Sequence, residues 1–158
     1  MARTTIQYRR NENVPVIGAI LEYKGISLTS APLPLIVDTG AGHTVITPKL
    51  EARLRLEEQQ IGWDDEFQHQ ALIVQTLLGL ARFKRLKKSA TLWFKDDSGD
   101  LMWPVKLDFL LFSEQHLLRG TRFSVRPGEG LNFGLLGQDV LRQCNLFLSG
   151  ESGYLEER

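Results

Sequence analysis

The chain has 158 residues and a mass of 17.9 kDa, and its 19 Lys+Arg balance 19 Asp+Glu. That length fits a single domain, residues 1–158, with a core that needs no disulfide or metal staple. The lone cysteine, Cys144, excludes an intrachain disulfide and a cysteine-based zinc site. The neutral balance argues against a protein driven mainly by phosphate binding. No apolar run approaches the roughly 18 residues of a membrane-spanning helix. The opening MARTTIQYRR carries no apolar segment behind its basic residues, so no secretory signal is expected. A cytoplasmic or unspecified location without a membrane partner follows as the expectation.

In chain order, Thr4–Tyr8 and Val14–Tyr23 read as strands, with Lys24-Gly25 turning the chain into Ile26–Leu28. Ala31-Pro32-Leu33-Pro34 is an extended connector, because each proline pushes its predecessor out of the helical region. Leu35-Ile36-Val37 is a wholly apolar strand, broken abruptly by Asp38-Thr39-Gly40-Ala41-Gly42. Thr44-Val45-Ile46 resumes β-branched character. Thr47-Pro48 suits an N-cap with proline at the first helical position, and the segment Lys49 to Gln60, rich in Glu, Leu, Arg and Gln, is expected to hold a short helix with Leu50, Leu54 and Ile61 on one face. Gly62–Gln70 reads as a polar loop. Ala71–Leu78 and Ala81–Phe94 read as two strands meeting around Gly79. Asp96–Asp100 reads as a hairpin turn between Leu92–Phe94 and Leu101–Trp103, across which Trp93 and Trp103 are placed to pair. Val105–Phe112 ends that arm, and Ser113–Leu131 is a long polar connection. Phe133–Gly137 is a short strand, Gln138–Gln143 a short helix, and Leu146–Leu155 a final hairpin. The class is therefore mainly β, with one or two short α-helices.

The zero net charge conceals segregation. Residues 51–70 hold six acidic and two basic residues, and residues 71–95 hold six basic and none acidic. Such runs are normally solvated faces or strand edges. Arg82, Lys84, Arg85, Lys87 and Lys88 form the densest basic run, yet no nucleic-acid partner is expected from it.

Two segments carry chemistry. In the first, a carboxylate, Asp38, stands where an apolar strand ends in a tight glycine turn. A lone buried carboxylate is costly, so the position demands partners or a shared proton. Thr39 adds a hydroxyl, and Gly40 permits close approach of a ligand or an unusual backbone angle. In the second, Phe133-Gly134-Leu135-Leu136-Gly137-Gln138-Asp139-Val140-Leu141, an apolar strand passes through glycine into a helix, with Asp139 in the first turn, where the helix dipole favours it.

Taken together, these segments resemble the retropepsin-like aspartic proteases, the family of retroviral and retrotransposon proteases and their cellular and bacterial relatives. The matching residues are Asp38-Thr39-Gly40-Ala41, Thr44-Val45-Ile46, and Leu135-Leu136-Gly137 with Gln138-Asp139-Val140-Leu141. The resemblance implies a closed β-barrel of the acid protease fold in a single lobe, with insertions at 51–70 and 113–131. It implies Asp38 as the catalytic carboxylate, paired with the Asp38 of a second chain. Two such close carboxylates share one proton, one acting as base on water and the other polarising the scissile carbonyl. Thr39 is implied to lock the two turns together, Gly40 to offer its carbonyl to substrate, and Leu135, Leu136 and Gly137 to support the site. Leu77, Leu78 and Gly79 take the place of a flap over an extended peptide substrate. No cofactor and no metal is implied. The implied activity is an aspartic endopeptidase working as a homodimer, and the alternative is a non-catalytic dimeric module holding an extended peptide in the same groove.

Some features depart from that family or compete with it. Gln138 stands where many viral relatives carry Arg, so an ion pair there is missing. The C-terminal hairpin ends in Glu156-Glu157-Arg158, polar for a strand that would seal a dimer. Asp97-Ser98-Gly99 repeats the Asp-Ser/Thr-Gly pattern but follows no buried strand, and is expected to be a solvent-exposed turn. His43, His69 and His116 fall in no metal-ligand spacing, and no Gly-x-Ser-x-Gly elbow is present. Cys144 is expected to be a buried structural thiol.

Overall fold

The computed structural model describes residues 1–8, 14–56, 62–64, 74–76, 79–81, 83–113 and 132–158. The elements are β1 Arg3–Tyr8, β2 Pro15–Tyr23, β3 Ile26–Ser27, β4 Leu33–Val37, β5 Val45–Ile46, α1 Pro48–Glu51, β6 Val74–Thr76, β7 Gly79–Ala81, β8 Phe83–Arg85, β9 Ala90–Lys95, β10 Met102–Leu107, β11 Leu111–Ser113, β12 Gly134–Leu136, α2 Gln138–Leu141, β13 Cys144–Leu148 and β14 Gly153–Glu157. The protein is mainly β with two short helices among the described residues, as its composition predicts. No helix among those residues is long and apolar enough to cross a membrane.

One twelve-stranded sheet runs β13-β14-β1-β2-β4-β12-β5-β11-β8, with β3 and β9 joined through β2, and β10 through β9. β2 makes this branching possible. Its nine residues alternate, with Ile17, Ala19, Leu21 and Tyr23 buried. Val16–Ala19 pair with β4, and Ile20–Tyr23 pair with β9. Because β2 pairs with β1 and β4 along its first half and with β3 and β9 along its second, the sheet forks, and it does not close through hydrogen bonds among the described residues. The expected mainly β, single-lobe fold is present, its barrel unclosed by hydrogen bonds among the described residues and its branched sheet folded over one main core.

That core joins Leu21, Leu33, Leu35, Leu92, Phe94, Phe112, Leu136 and Leu155, all at 0 % exposure. Each such side chain stabilises the fold by roughly 1.5–3 kcal/mol relative to an exposed one. The opposite face of β4, β12, β5 and β11 is covered too. Ile36 meets Val14 and Phe133, Val45 and Leu111 meet Phe83, and Leu135 packs against both groups. Strands covered on both faces read as continuous apolar runs, which explains Leu35-Ile36-Val37.

Several local expectations change. Of the short helix expected in the segment Lys49 to Gln60, the described residues show α1, four residues long. The Arg55 N–H donates to the Leu28 carbonyl at 2.8 Å, which draws the chain into an extended path. Leu50 and Leu54 are buried as expected, while Ile61 lies outside the described residues. Thr47 takes the N-cap position, but its hydroxyl donates to the Phe133 carbonyl at 2.8 Å instead of capping. The arm expected from Ala81 to Phe94 is two strands. β8 pairs with β11, and β9 pairs with β10 and β2. Likewise Val105–Phe112 divides between β10 and β11.

Trp93 and Trp103 do not pair. Trp103 stands opposite Phe94, and Trp93 opposite Pro104, so the two indoles occupy opposite faces. Trp103 is buried beside the Phe94 ring at 4.9 Å and donates its Nε1–H to Thr4 Oγ1 at 2.9 Å. Cys144 is buried, and burial pushes its thiol up to about 11.

The acidic and basic runs meet each other. Lys84 pairs with Glu51, and Arg85 with Asp64 at 2.7 Å. Gly62–Asp64, read as loop, runs beside Arg85–Lys87 through a Trp63–Leu86 bridge. The Trp63 ring stands edge-on to Phe112 at 5.1 Å, with the Lys84 ammonium 4.3 Å above it. Two members of the basic run are thus committed within the chain.

Candidate active site

Asp38 follows β4 directly. Its backbone N–H donates to the Leu136 carbonyl at 3.0 Å, continuing the parallel pairing of β4 with β12 one residue past the strand. The turn then closes on itself, with the Ala41 N–H reaching the Asp38 carbonyl at 3.2 Å. Asp38 Oδ1 accepts the Gly40 N–H at 3.0 Å, the only hydrogen bond to this carboxylate among the described residues. The carboxylate is half-buried, and Thr39 and Gly40 beside it are exposed. Among the described residues this carboxylate thus keeps most of its lone pairs unspent, on the end of a strand covered on both faces.

Gly40 needs no special backbone angle, since its φ lies outside the left-handed region. A Cβ there would lie 3.4 Å from Asp38 Oδ1 and touch nothing else within 4 Å. A methyl at Gly40 would thus come into van der Waals contact with the carboxylate. Ala41 is half-buried, and its carbonyl accepts the Gln138 N–H at 2.8 Å.

The segment Leu135–Asp139 braces the turn from below. Gly137 is required by close approach: a Cβ there would fall 2.5 Å from the His43 carbonyl carbon and oxygen. Backbone cannot yield by that amount, so Gly137 lets α2 start directly against the loop. Gly134 is similarly tight, with Val45 O at 2.8 Å from a Cβ position. Leu136 is wholly buried beneath the site, and Leu135 faces the second core.

Two bracing contacts lie beyond the sequence reading. Asp139 suits the start of a helix, but its carboxylate is spent on Thr44: Oδ2 accepts the Thr44 N–H at 2.9 Å and Oδ1 the Thr44 hydroxyl at 2.7 Å. Thr44 Oγ1 in turn accepts the Gly137 N–H at 3.0 Å. Gln138 Nε2 donates to the Thr39 carbonyl at 2.8 Å, replacing the missing ion pair with a neutral hydrogen bond. Thr44 is at 0 % exposure, where a hydroxyl must have a partner, but its neighbours in sequence do not announce that burial.

Of the residues placed at the flap, Gly79 opens β7, which pairs with β6 as an antiparallel hairpin with Thr76 opposite Gly79. Leu77 and Leu78, which fall between them, lie outside the described residues. His43 is exposed on the loop, its ring 5.2 Å from Phe109. His69 and His116 lie outside the described residues. No cluster of metal-ligating side chains occurs among the described residues.

Asp97-Ser98-Gly99 is a solvent-exposed turn, as expected, and its carboxylate is hydrogen-bonded. Asp97 accepts the Thr5 N–H at 2.9 Å and the Thr5 hydroxyl at 2.7 Å. Asp96, 8 % exposed, accepts the Ser98 hydroxyl and the Arg3 N–H, and these bonds hold its carboxyl below the usual range.

No protein-family model matches the chain, and no curated protein matches it. Solved structures do. A retropepsin-like aspartic protease from Rickettsia conorii superposes with a TM-score of 0.51 at 15 % identity, over 97 % of this chain and 89 % of that one. EIAV protease complexed with the inhibitor HBY-793 gives a TM-score of 0.43 at 15 % identity, over 85 % and 90 %. With β4, β12 and the turn between β4 and β5 arranged as described, the first of these likenesses identifies the architecture: this chain has the retropepsin-like fold.

Proposed function

We propose that residues 1–158 form a single domain that is half of an aspartic endopeptidase, completed by a second copy. The observation that carries this reading is the Asp38 carboxylate. It is fixed by β4 and β12, lies beside the exposed Thr39 and Gly40, and among the described residues accepts one hydrogen bond, from within its own turn. One chain supplies one such group, and peptide hydrolysis by this route needs two.

In the assembled enzyme the two Asp38 side chains share a proton. The ionised member takes a proton from a water that attacks the scissile carbonyl, and the protonated member polarises that carbonyl. The proton then passes to the leaving nitrogen as the tetrahedral intermediate collapses. The Thr39 residues, exposed in the single chain, meet across the two-fold axis. Gly40 lines the bed of an extended peptide, and the β6–β7 hairpin closes over it. No cofactor enters the scheme.

The terminal strands support pairing of copies. The charges at the C-terminus are used inside the chain: Glu156 pairs with Arg3 at 2.9 Å, and Arg158 bonds to Asn145 and the Arg142 carbonyl. β13 stands at the end of the sheet order, with Phe147 48 % and Leu148 38 % exposed. An apolar strand at an open edge is a template for further pairing.

The test is Asp38→Asn, assayed on a peptide library from acidic to neutral pH, with mass by sedimentation. The expected result is loss of cleavage by at least about a thousandfold with the dimer retained. Undiminished cleavage would overturn the aspartic mechanism. Peptide binding by the wild type without cleavage at any pH would favour the binding-module alternative.

A further inference from the structure

We propose that Gln138 is a positioning residue for Asp38, acting through the single peptide group that joins Thr39 to Gly40; the inference rests on the peptidase reading above. The geometry is a relay. Gln138 Nε2 donates to the Thr39 carbonyl at 2.8 Å. The Gly40 N–H, on the other side of the same planar peptide unit, donates to Asp38 Oδ1 at 3.0 Å. A planar amide cannot turn one end without the other, so the side-chain amide sets the direction of the only donor to this carboxylate among the described residues. The two hydrogen bonds also polarise the same peptide group in the same sense, which strengthens both.

The arrangement is anchored on both sides. The Gln138 backbone N–H donates to the Ala41 carbonyl at 2.8 Å, so one residue holds two carbonyls of the turn. Gly137, immediately before it, is seated against the His43 backbone, and Asp139, immediately after it, holds Thr44. Gln138 therefore stands on the best-braced part of the site, while the turn that it steadies is exposed. A neutral amide suits this role, because it can donate to a carbonyl beside Asp38 without adding a charge.

Two variants test the proposal, each made in the full chain. Gln138→Met keeps the length and removes the donor. Gln138→Glu keeps the shape and converts the donor into an acceptor while ionised, restoring an O–H donor once protonated, near the ordinary carboxyl value of about 4.3. The ionisable groups on the two packed elements are Asp38 and His43 on the loop, and Asp139 and Arg142 on α2. Taking the ratio to wild type at each pH cancels their own titration.

Gln138→Met is expected to speed hydrogen exchange of the Gly40 amide about fivefold or more. It is expected to lower kcat about ten- to a hundredfold while KM stays within about twofold. Gln138→Glu is expected to show the deficit at neutral pH and to recover toward wild type as pH falls through about 4. Unchanged Gly40 exchange and unchanged kcat in Gln138→Met would overturn the relay. So would a fall in kcat matched by a fall in thermal midpoint with no acid recovery in Gln138→Glu, since that marks a purely structural role. If Gln138→Met fails to fold, Gln138→Glu measured at two pH values on one preparation decides the matter alone. A wild type that cleaves no peptide would remove the peptidase reading, while Gly40 exchange would still decide whether Gln138 governs the turn.

Discussion

The chain contains the same pattern twice, Asp38-Thr39-Gly40 and Asp97-Ser98-Gly99, and uses it in opposite ways. Asp97 binds the Thr5 N–H and hydroxyl, and its neighbour Asp96 binds the Arg3 N–H and Ser98, so this turn clasps β1 to the β9–β10 hairpin. Among the described residues Asp38 accepts only the Gly40 N–H and ties nothing distant together through its side chain. Instead it is held by others: Leu136, Gln138 and, through Thr44, Asp139 all brace its loop. A carboxylate whose bonds are spent on the fold contributes stability, and one whose bonds are left open can contribute chemistry. The tripeptide does not distinguish them; the strand before it and the segment beneath it do.

The contrast can be broken at the glycines. Gly40→Ala places a methyl 3.4 Å from Asp38 Oδ1, in the space a substrate would occupy, whereas a Cβ at Gly99 meets nothing within 4 Å. Cleavage by Gly40→Ala is expected to fall about a hundredfold, and cleavage by Gly99→Ala to stay within about twofold of wild type. Steady-state kinetics on one peptide compares them.

The next expectation concerns stability. Asp97→Ala removes two hydrogen bonds to Thr5 and should cost about 1 kcal/mol in urea unfolding. Asp38→Ala should change stability by less than about 0.5 kcal/mol. Equal costs at the two positions would mean that the two turns are not differently used.

The smallest effect is in pH dependence. Hydrogen bonds from Ser98 and the Arg3 N–H lower the Asp96 carboxyl, and the hydrogen bond from Arg3 lowers that of Glu156. A depressed folded-state value means that the unfolded chain takes up the proton first. The stability these groups contribute is therefore present above the ordinary carboxyl range, about pH 4, and lost as pH falls through the depressed values. Asp96→Asn should flatten the acid limb of the unfolding midpoint measured from neutral pH down to about pH 3.

How far the sequence reads correctly depends on the range of the interaction. Leu35-Ile36-Val37 before Asp38, and Leu135-Leu136-Gly137 before α2, are legible because burial on both faces writes itself as a continuous apolar run. The mainly β class follows from the same logic and from the turn residues. The short helix expected in Lys49–Gln60 is present as α1, and among the described residues it stops at Glu51, because propensity in Glu, Leu and Arg cannot register the Leu28 carbonyl that captures Arg55. The Trp93–Trp103 pairing fails by one residue of register, which is enough to reverse a face. The bracing of Thr44 by Asp139 spans 95 positions and that of Thr39 by Gln138 spans 99, and no local pattern announces either. Asp139 is a good first-turn residue for its helix, and that local sufficiency hides its larger task.

The central claim is that each chain supplies half of the active site, and mixing chains tests it most directly. Wild type and the Asp38→Asn variant are combined at constant total concentration, allowed to exchange, and assayed for peptide cleavage. If both copies must contribute Asp38, activity follows the square of the wild-type fraction, reaching about a quarter at equal amounts for random two-fold pairing. A linear fall, reaching about half at equal amounts, would mean that one chain holds a complete site and would contradict the account.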